Sequence, residues 1–321
     1  MATYQTYQSI GNREDLTDMI YDISPTETPF MSSIGKTKAT AVLHEWQTDS
    51  LSDATIANAA VEGADASSAT LAPTSRVGNR TQISQKTIQI AGTEETIDKA
   101  GRKSEKAYQL AKASSELKRD MEKIMLANQA AAAGDSTTAR TLGSLQAWLN
   151  TNYVGTGTAG SLGTTARVAG TDRAFTEPLL KAAVKSAYTN GGNPTVLMVS
   201  PTQKQVVSTF AGIAEQRYAA PANKQTTIVG AADVYLSDFG TLSVVPNRFT
   251  TADGATADPV TGEGEQAFVL DPEYAAVAFL RPFQTNELAK TGDSEKTQLL
   301  VEYTLEVKNE AAHALVSDLS I

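Results

Sequence analysis

The sequence predicts an α+β protein in which a compact mixed core carries long, extended appendages. Three observations predict this class. One helical pattern runs unbroken from Gly101 to Gly134, the segment QLLVEYTLEVK alternates strictly near the C-terminus, and short helices and strands alternate between them. The chain of 321 residues is 41% apolar and 20% charged, enough for a hydrophobic core and too little charge for a disordered chain. Its net charge is −9, and neither the part up to Arg140 nor the remainder is basic. Tight DNA or RNA binding, which needs clustered cations, is therefore disfavoured. The absence of cysteine excludes disulfides, thiolate zinc sites and cysteine nucleophiles. MATYQTYQSIGNREDLTDMI lacks a secretion signal's apolar stretch, and no uncharged apolar run approaches the ~20 residues that span a bilayer. A cytoplasm-like compartment and no membrane contact are expected.

Residues 1–37 read as an arm, with sparse apolar positions, a short helix predicted at Arg13–Tyr21, and two prolines in SPTETPF that hold the preceding residues extended. Residues 38–92 read as a long two-stranded arm. In TAVLHEWQTDSL, Val42, His44, Trp46 and Thr48 share one face. A run of small residues follows, and NRTQISQKTIQIAG resumes as a strand with Ile83, Ile88 and Ile90 scattered along it. A lone hairpin is marginal in water, so it must lie on its own body or on another copy.

In the Gly101–Gly134 helix, Leu110, Ser114, Leu117, Met121, Ile124 and Asn128 recur at spacings of four and three, forming a narrow apolar stripe. Ser104 is a candidate cap and Gly134 the stop. At ~1.5 Å per residue the helix would span roughly 45 Å, a length suited to bracing an extended object. Glu94, Glu95 and Asp98 precede it, where carboxylates favour the positive end of the helix dipole.

From Ser136 to about Pro282 the texture is compact. Helices are predicted near Gly143–Leu149, Glu177–Thr189 and Pro201–Phe210. Strands are predicted at Thr195–Ser200, Thr227–Leu236, Leu242–Val245, Ala267–Leu270 and Ala275–Leu280, with a hairpin tip at Asp238–Gly240. In the final strand Leu299, Val301, Tyr303, Leu305 and Val307 share an apolar face, and Glu302, Thr304, Glu306 and Lys308 a polar one. It would span ~35 Å, matching the helix in length.

Motifs for catalysis or cofactors are weak. GTGTAG at Gly155–Gly160 spells a dinucleotide fingerprint but lacks the flanking strand and helix, and reads as a flexible surface loop. His44 and His313 could each serve a hydrolase, yet no GxSxG elbow accompanies them, and structural or interface roles fit better. Asp253, Asp258, Glu263 and Glu265 lack calcium-loop spacing and read as a solvated turn. Asn79-Arg80-Thr81 is a formal glycosylation sequon without a secretion signal. No catalytic residue, metal or cofactor is expected.

The order of arm, long loop, long helix, α/β region and long terminal strand resembles that of tailed-phage major capsid proteins with the Hong Kong 97-type fold. The opening TYQSIGNREDLTDMIYDISPTETPFMSSIG and the ending GDSEKTQLLVEYTLEVKNEAAHALV are similar to the major capsid family of SU-ten-type phages. The resemblance implies an N-terminal arm at 1–37 and an extended loop at 38–100 lying over a neighbouring subunit. It implies a peripheral domain from 101–139 and 284–309, with a spine helix and long strand, and an axial domain from 140–283 and 310–321. It further implies self-assembly through pentamers and hexamers into an icosahedral virion shell, built in the bacterial cytoplasm and enclosing double-stranded DNA without sequence-specific contacts. Portal, scaffolding and cement or decoration proteins are candidate partners, scaffolding being separate, absent or already removed. The covalent link between a lysine and an asparagine found in some relatives is not carried over to Lys86 and Asn309. Trp46, His44, Ile83 and Ile88 are the candidate assembly residues, with Trp46 expected to anchor the loop. An encapsulin-type nanocompartment shell and a hydrolase using His44 or His313 are the alternative readings.

Overall fold

The computed structural model describes residues 24–63, 65, 71–210, 233–250 and 264–321. The predicted helix at Arg13–Tyr21 and most of the acidic loop, Asp253, Asp258 and Glu263, lie outside them. Among the described residues, two main sheets and one small two-stranded ladder organise the fold.

The first sheet has four strands in the order β1-β10-β11-β4: β1 at Gly35–Lys38, β10 at Ala275–Leu288, β11 at Ser294–Val307 and β4 at Gln82–Ala91. β10 and β11 form a long antiparallel pair, as the alternation in β11 predicts. The strand expected to stop at Leu280 runs on to Leu288. Pro282 cannot donate to a ladder, and the register shifts between Phe279 and Gln284 take it up. Residues 275–283 and the arm's 35–38 therefore belong to this sheet.

Against one face of the sheet lies the long helix α3, Glu105–Leu126. Ser104 caps it by accepting from the Ala107 amide, and the Glu95 carboxylate accepts from the Glu105 and Lys106 amides at 3.0 and 3.2 Å. Both features were legible beforehand. The helix ends at Leu126, eight residues before Gly134, so its 22 residues span about 33 Å. Polar side chains divert the backbone: Asn128 clasps the Arg167 amide and carbonyl, and the Gln129 amide donates to the Ser144 hydroxyl. Gly134, at φ +67°, turns the chain instead of ending the helix. Leu117, Met121 and Met125 pack with Val301, Tyr303 and Leu305 in the core. Lys86 of β4 bonds Glu116 and Asp120 of α3 at 3.0 and 3.1 Å.

The second sheet has six strands in the order β5-β12-β9-β6-β8-β7: β5 at Tyr153–Val154, β12 at Ala314–Val316, β9 at Ala267–Leu270, β6 at Val196–Val199, β8 at Gly240–Pro246 and β7 at Val234–Ser237. Two helices belong to this region, α5 at Glu177–Thr189 with its predicted bounds, and α6 at Pro201–Val207, cut shorter than predicted. The short α4, Leu145–Trp148, is buried in a core to which both sheets contribute. The β7–β8 hairpin turns at Asp238–Phe239, as the sequence suggests.

The GTGTAG stretch is not a flexible surface loop. The Asp318 carboxylate accepts from the Thr156, Gly157 and Gly170 amides at 2.7–3.0 Å and pairs with Arg167 at 2.7 Å, all charge fully buried. A Cβ on Gly157 would lie 2.0 Å from the Val168 carbonyl, so only glycine permits this wrap. Burial alone would raise the Asp318 carboxyl, but the three amides and the Arg167 guanidinium outweigh it and hold it far below the usual range.

Candidate assembly site

The small ladder is the projecting element. β2, Leu43–Thr48, pairs with β3, Ser75–Arg80, in antiparallel register from Leu43↔Arg80 to Thr48↔Ser75. Only residues up to Arg80 belong to this hairpin. The chain then passes through Thr81 into β4, which pairs with β11 from Tyr303 to Ser294. The expectation that residues through 92 form one two-stranded arm is thus corrected. The period-two pattern is the same in both ladders and cannot reveal which strand is the partner.

Four contacts fix the hairpin base to the body. Trp46 stacks on Trp148 of α4 at 5.3 Å between ring centroids. His44 Nε2 lies 3.2 Å from Glu306 Oε2, and the same oxygen accepts from the Thr37 hydroxyl at 2.6 Å. Asn79, fully buried, donates to the carbonyls of Gly143 and Leu305 and accepts from the Gly143 amide, each at 2.8 Å. Glu302 accepts from the Thr81 hydroxyl at 2.9 Å and pairs with Arg140 and, at 2.7 Å, with Arg281.

These contacts explain why Glu302 and Thr304, assigned to a polar face by their alternation, are buried. The hairpin base covers that face, and the charge on Glu302 is answered by two arginines. Asn79, Glu302 and Arg140 were missed as functional residues. Their partners lie 21 to 226 positions away, and the sequon at Asn79 pointed elsewhere.

The candidate residues separate. Trp46 and His44 come together at the base, with rings 5.7 Å apart. Ile83 is 45% exposed on β4, beside a notch shared with Ala133, Ala139 and Arg140. Ile88 shares the strand face of Lys86, which bonds α3, so it is turned toward its own helix and not outward. His313 is buried, accepting the Asp271 amide at Nδ1, with Nε2 3.4 Å from the Tyr274 carbonyl. Neither histidine has a serine hydroxyl among its described hydrogen-bond partners. Among the described residues no cluster of His, Asp and Glu could hold a metal, and no helix is long and apolar enough to cross a membrane.

A long helix braced on a long sheet, a second six-stranded sheet and a separate two-stranded hairpin make up the described fold. The profile of the SU10 major capsid protein family matches residues 2–320. The chain belongs to that family. Its members are phage major capsid proteins, structural and not enzymatic, which sets aside the hydrolase and encapsulin readings. A curated "Major capsid protein" of Escherichia phage Phieco32 is 38% identical over 127 residues, a match that covers 40% of this chain and 36% of that protein.

Solved structures agree on the fold at low identity. The Cyanophage A-1(L) capsid asymmetric unit gives a TM-score of 0.66 at 12% identity, covering 99% of both chains. A capsid of a native GTA particle gives 0.63 at 10% identity, covering 98% of both. Mycobacterium phage Adephagia gives 0.62 at 10%, covering 100% of this chain and 99% of the other. The capsid family's fold is therefore of the Hong Kong 97 type, an α+β architecture.

Proposed function

We propose that copies of this chain assemble through their projecting loops into pentamers and hexamers of an icosahedral head shell around double-stranded DNA. Here 1–37 serves as the arm, 38–80 as the loop, α3 with the four-stranded sheet as the peripheral body, and the six-stranded sheet as the axial body. This map shortens the loop and extends the peripheral part relative to the sequence-based boundaries. The observation that carries the reading is exposure beyond the hairpin base. Leu51, Ile56, Val61 and Leu71 are 98%, 105%, 78% and 89% exposed. Four large apolar side chains this exposed along one loop bury little on their own subunit, and a neighbouring copy that covered them would remove that apolar surface from water.

The loop's charge supports the same reading. Between Lys38 and Arg76 the chain carries Glu45, Asp49, Asp53, Glu62 and Asp65 and no cation. A loop of one sign lands on a surface of the other sign, here a cationic patch of a neighbouring copy. Portal, scaffolding and cement proteins are further partners of such a shell.

Deleting about Asp53–Ala72 tests the proposal. The expected outcome is a subunit that melts cooperatively and forms no ordered shells by electron microscopy. Normal shells from the deletion variant would overturn it.

A further inference from the structure

Glu122 lies within α3 and is 0% exposed. Its Oε1 accepts from the Phe30 amide at 2.7 Å and from the Asn247 side-chain amide at 2.7 Å, and its Oε2 accepts from the Met31 amide at 2.9 Å. Phe30 and Met31 begin the short helix α1, Pro29–Ser33, where backbone N–H groups have no acceptor within the helix. Asn247 follows β8. Its own amide donates to the Val199 carbonyl at the end of β6, and its side-chain oxygen accepts the Phe249 amide at 2.8 Å. One carboxylate thus meets three segments distant in sequence: the arm, the long helix and the rim of the six-stranded sheet.

The carboxylate has no cation within ion-pair distance among the described residues. Arg119, one turn earlier, instead places its guanidinium 5.7 Å from the centre of the Phe249 ring. Burial pushes the Glu122 carboxyl upward, and the Met31, Phe30 and Asn247 donors pull it back. A buried carboxylate without a cation keeps its charge only through such donors. Removing one makes proton uptake easier, and a neutral carboxyl is a weaker acceptor for the others.

We propose that Glu122 couples the seating of the arm to the position of the six-stranded sheet, so that loosening either one loosens the other. Asn247 joins the carboxylate to β6 by a continuous chain of hydrogen bonds, and the Phe30 and Met31 amides hang from the same carboxylate. Where a shell contact moves either the arm or the six-stranded sheet, Glu122 then carries the effect to the other. That consequence rests on the shell reading, whereas the coupling is a property of the single chain.

The test is hydrogen–deuterium exchange on the unassembled full-length chain. Asn247→Ala removes one donor to Glu122 and none of the arm's own hydrogen bonds. Its expected effect is exchange at the Phe30 and Met31 amides faster on the order of tenfold, with α5 amides unchanged. Glu122→Gln, which turns an NH₂ toward one of the three donors, should loosen both segments together. An Asn247→Ala effect confined to residues 247–250, or slower exchange at Phe30 and Met31, would overturn the coupling. Because the readout precedes assembly, that result would leave shell formation untouched, and a failure to form shells would leave the coupling standing.

Discussion

Trp46 stacks on Trp148 of its own subunit, with ring centroids 5.3 Å apart and planes 29° from parallel. The base of the projecting hairpin is therefore fixed within its own subunit, and Trp46, expected to anchor the loop, ties that base to α4. Hydrogen bonds from Asn79 and Thr81 reinforce the same base. The part left to bind a neighbour is the stretch past Thr48, where Leu51 and Ile56 stand in solvent.

Replacing Trp46 by alanine removes this stack, worth about 0.5–1.5 kcal/mol beyond the area it covers. Trp46 is only partly buried and packs against the main core from its edge. The expected outcome is faster proteolysis within residues 43–80 and fewer well-formed shells, with the thermal midpoint of the body nearly unchanged. A protected hairpin in the variant would show that the hydrogen bonds alone hold its base.

The buried pair of Asp318 and Arg167 has the opposite character. Asp318 sits at φ +58°, a region that asparagine tolerates nearly as well as aspartate, so Asp318→Asn isolates the loss of charge from backbone strain. It removes the charge that Asp318 presents to the buried Arg167 guanidinium and turns an NH₂ toward backbone N–H groups that the carboxylate had accepted. A loss of about 3 kcal/mol is expected, measurable by denaturant unfolding. A loss below about 1 kcal/mol would mean that water reaches the pair.

His313 gives a pH dependence whose sign follows from its burial. Burial holds its pKa below the ordinary 6.5, against the pull of the Tyr274 carbonyl, Asp271 and Glu310. The unfolded chain takes up a proton below that value and the folded chain does not. Stability is thus fully present above pH ~6.5 and falls by about 1.4 kcal/mol per pH unit below it, until the folded group titrates. Glu122, raised by burial, acts in the opposite sense nearer the carboxylate range. The difference between wild type and His313→Gln across pH 7 to 5 isolates the histidine. A pH-independent difference would refute the assignment.

The one-signed loop predicts a salt effect on assembly. Changing Asp49, Asp53 and Glu62 to their amides should weaken shell formation at low ionic strength and flatten its dependence on salt. Light scattering across a salt series measures both. Stronger assembly by the neutral variant would mean that the loop lands on an uncharged or acidic surface.

Much of the fold could be read in one dimension. The alternation in β11, the cap at Ser104, the carboxylates ahead of α3 and the bounds of α5 all depend on residues within a few positions of one another. The assembly site was only half legible. Trp46 and His44 stood out as large groups on a sparse strand, but the alternation that puts Ile83 and Ile88 on opposite faces does not say which face meets α3.

The sequence by itself determined that this chain contains a long helix, a long strand and a loop too poor in apolar residues to fold alone, because periodicity and composition are local quantities. Only the tertiary structure decided where the helix stops, which strand β4 joins, and that Glu302, Asp318 and Glu122 are buried. Each of those outcomes turns on a partner far along the chain: Asn128 with Arg167, Lys86 with α3, and Glu122 with Asn247. A buried polar group is stable only when its partner is in place, and spacing along the sequence says nothing about which residue that will be.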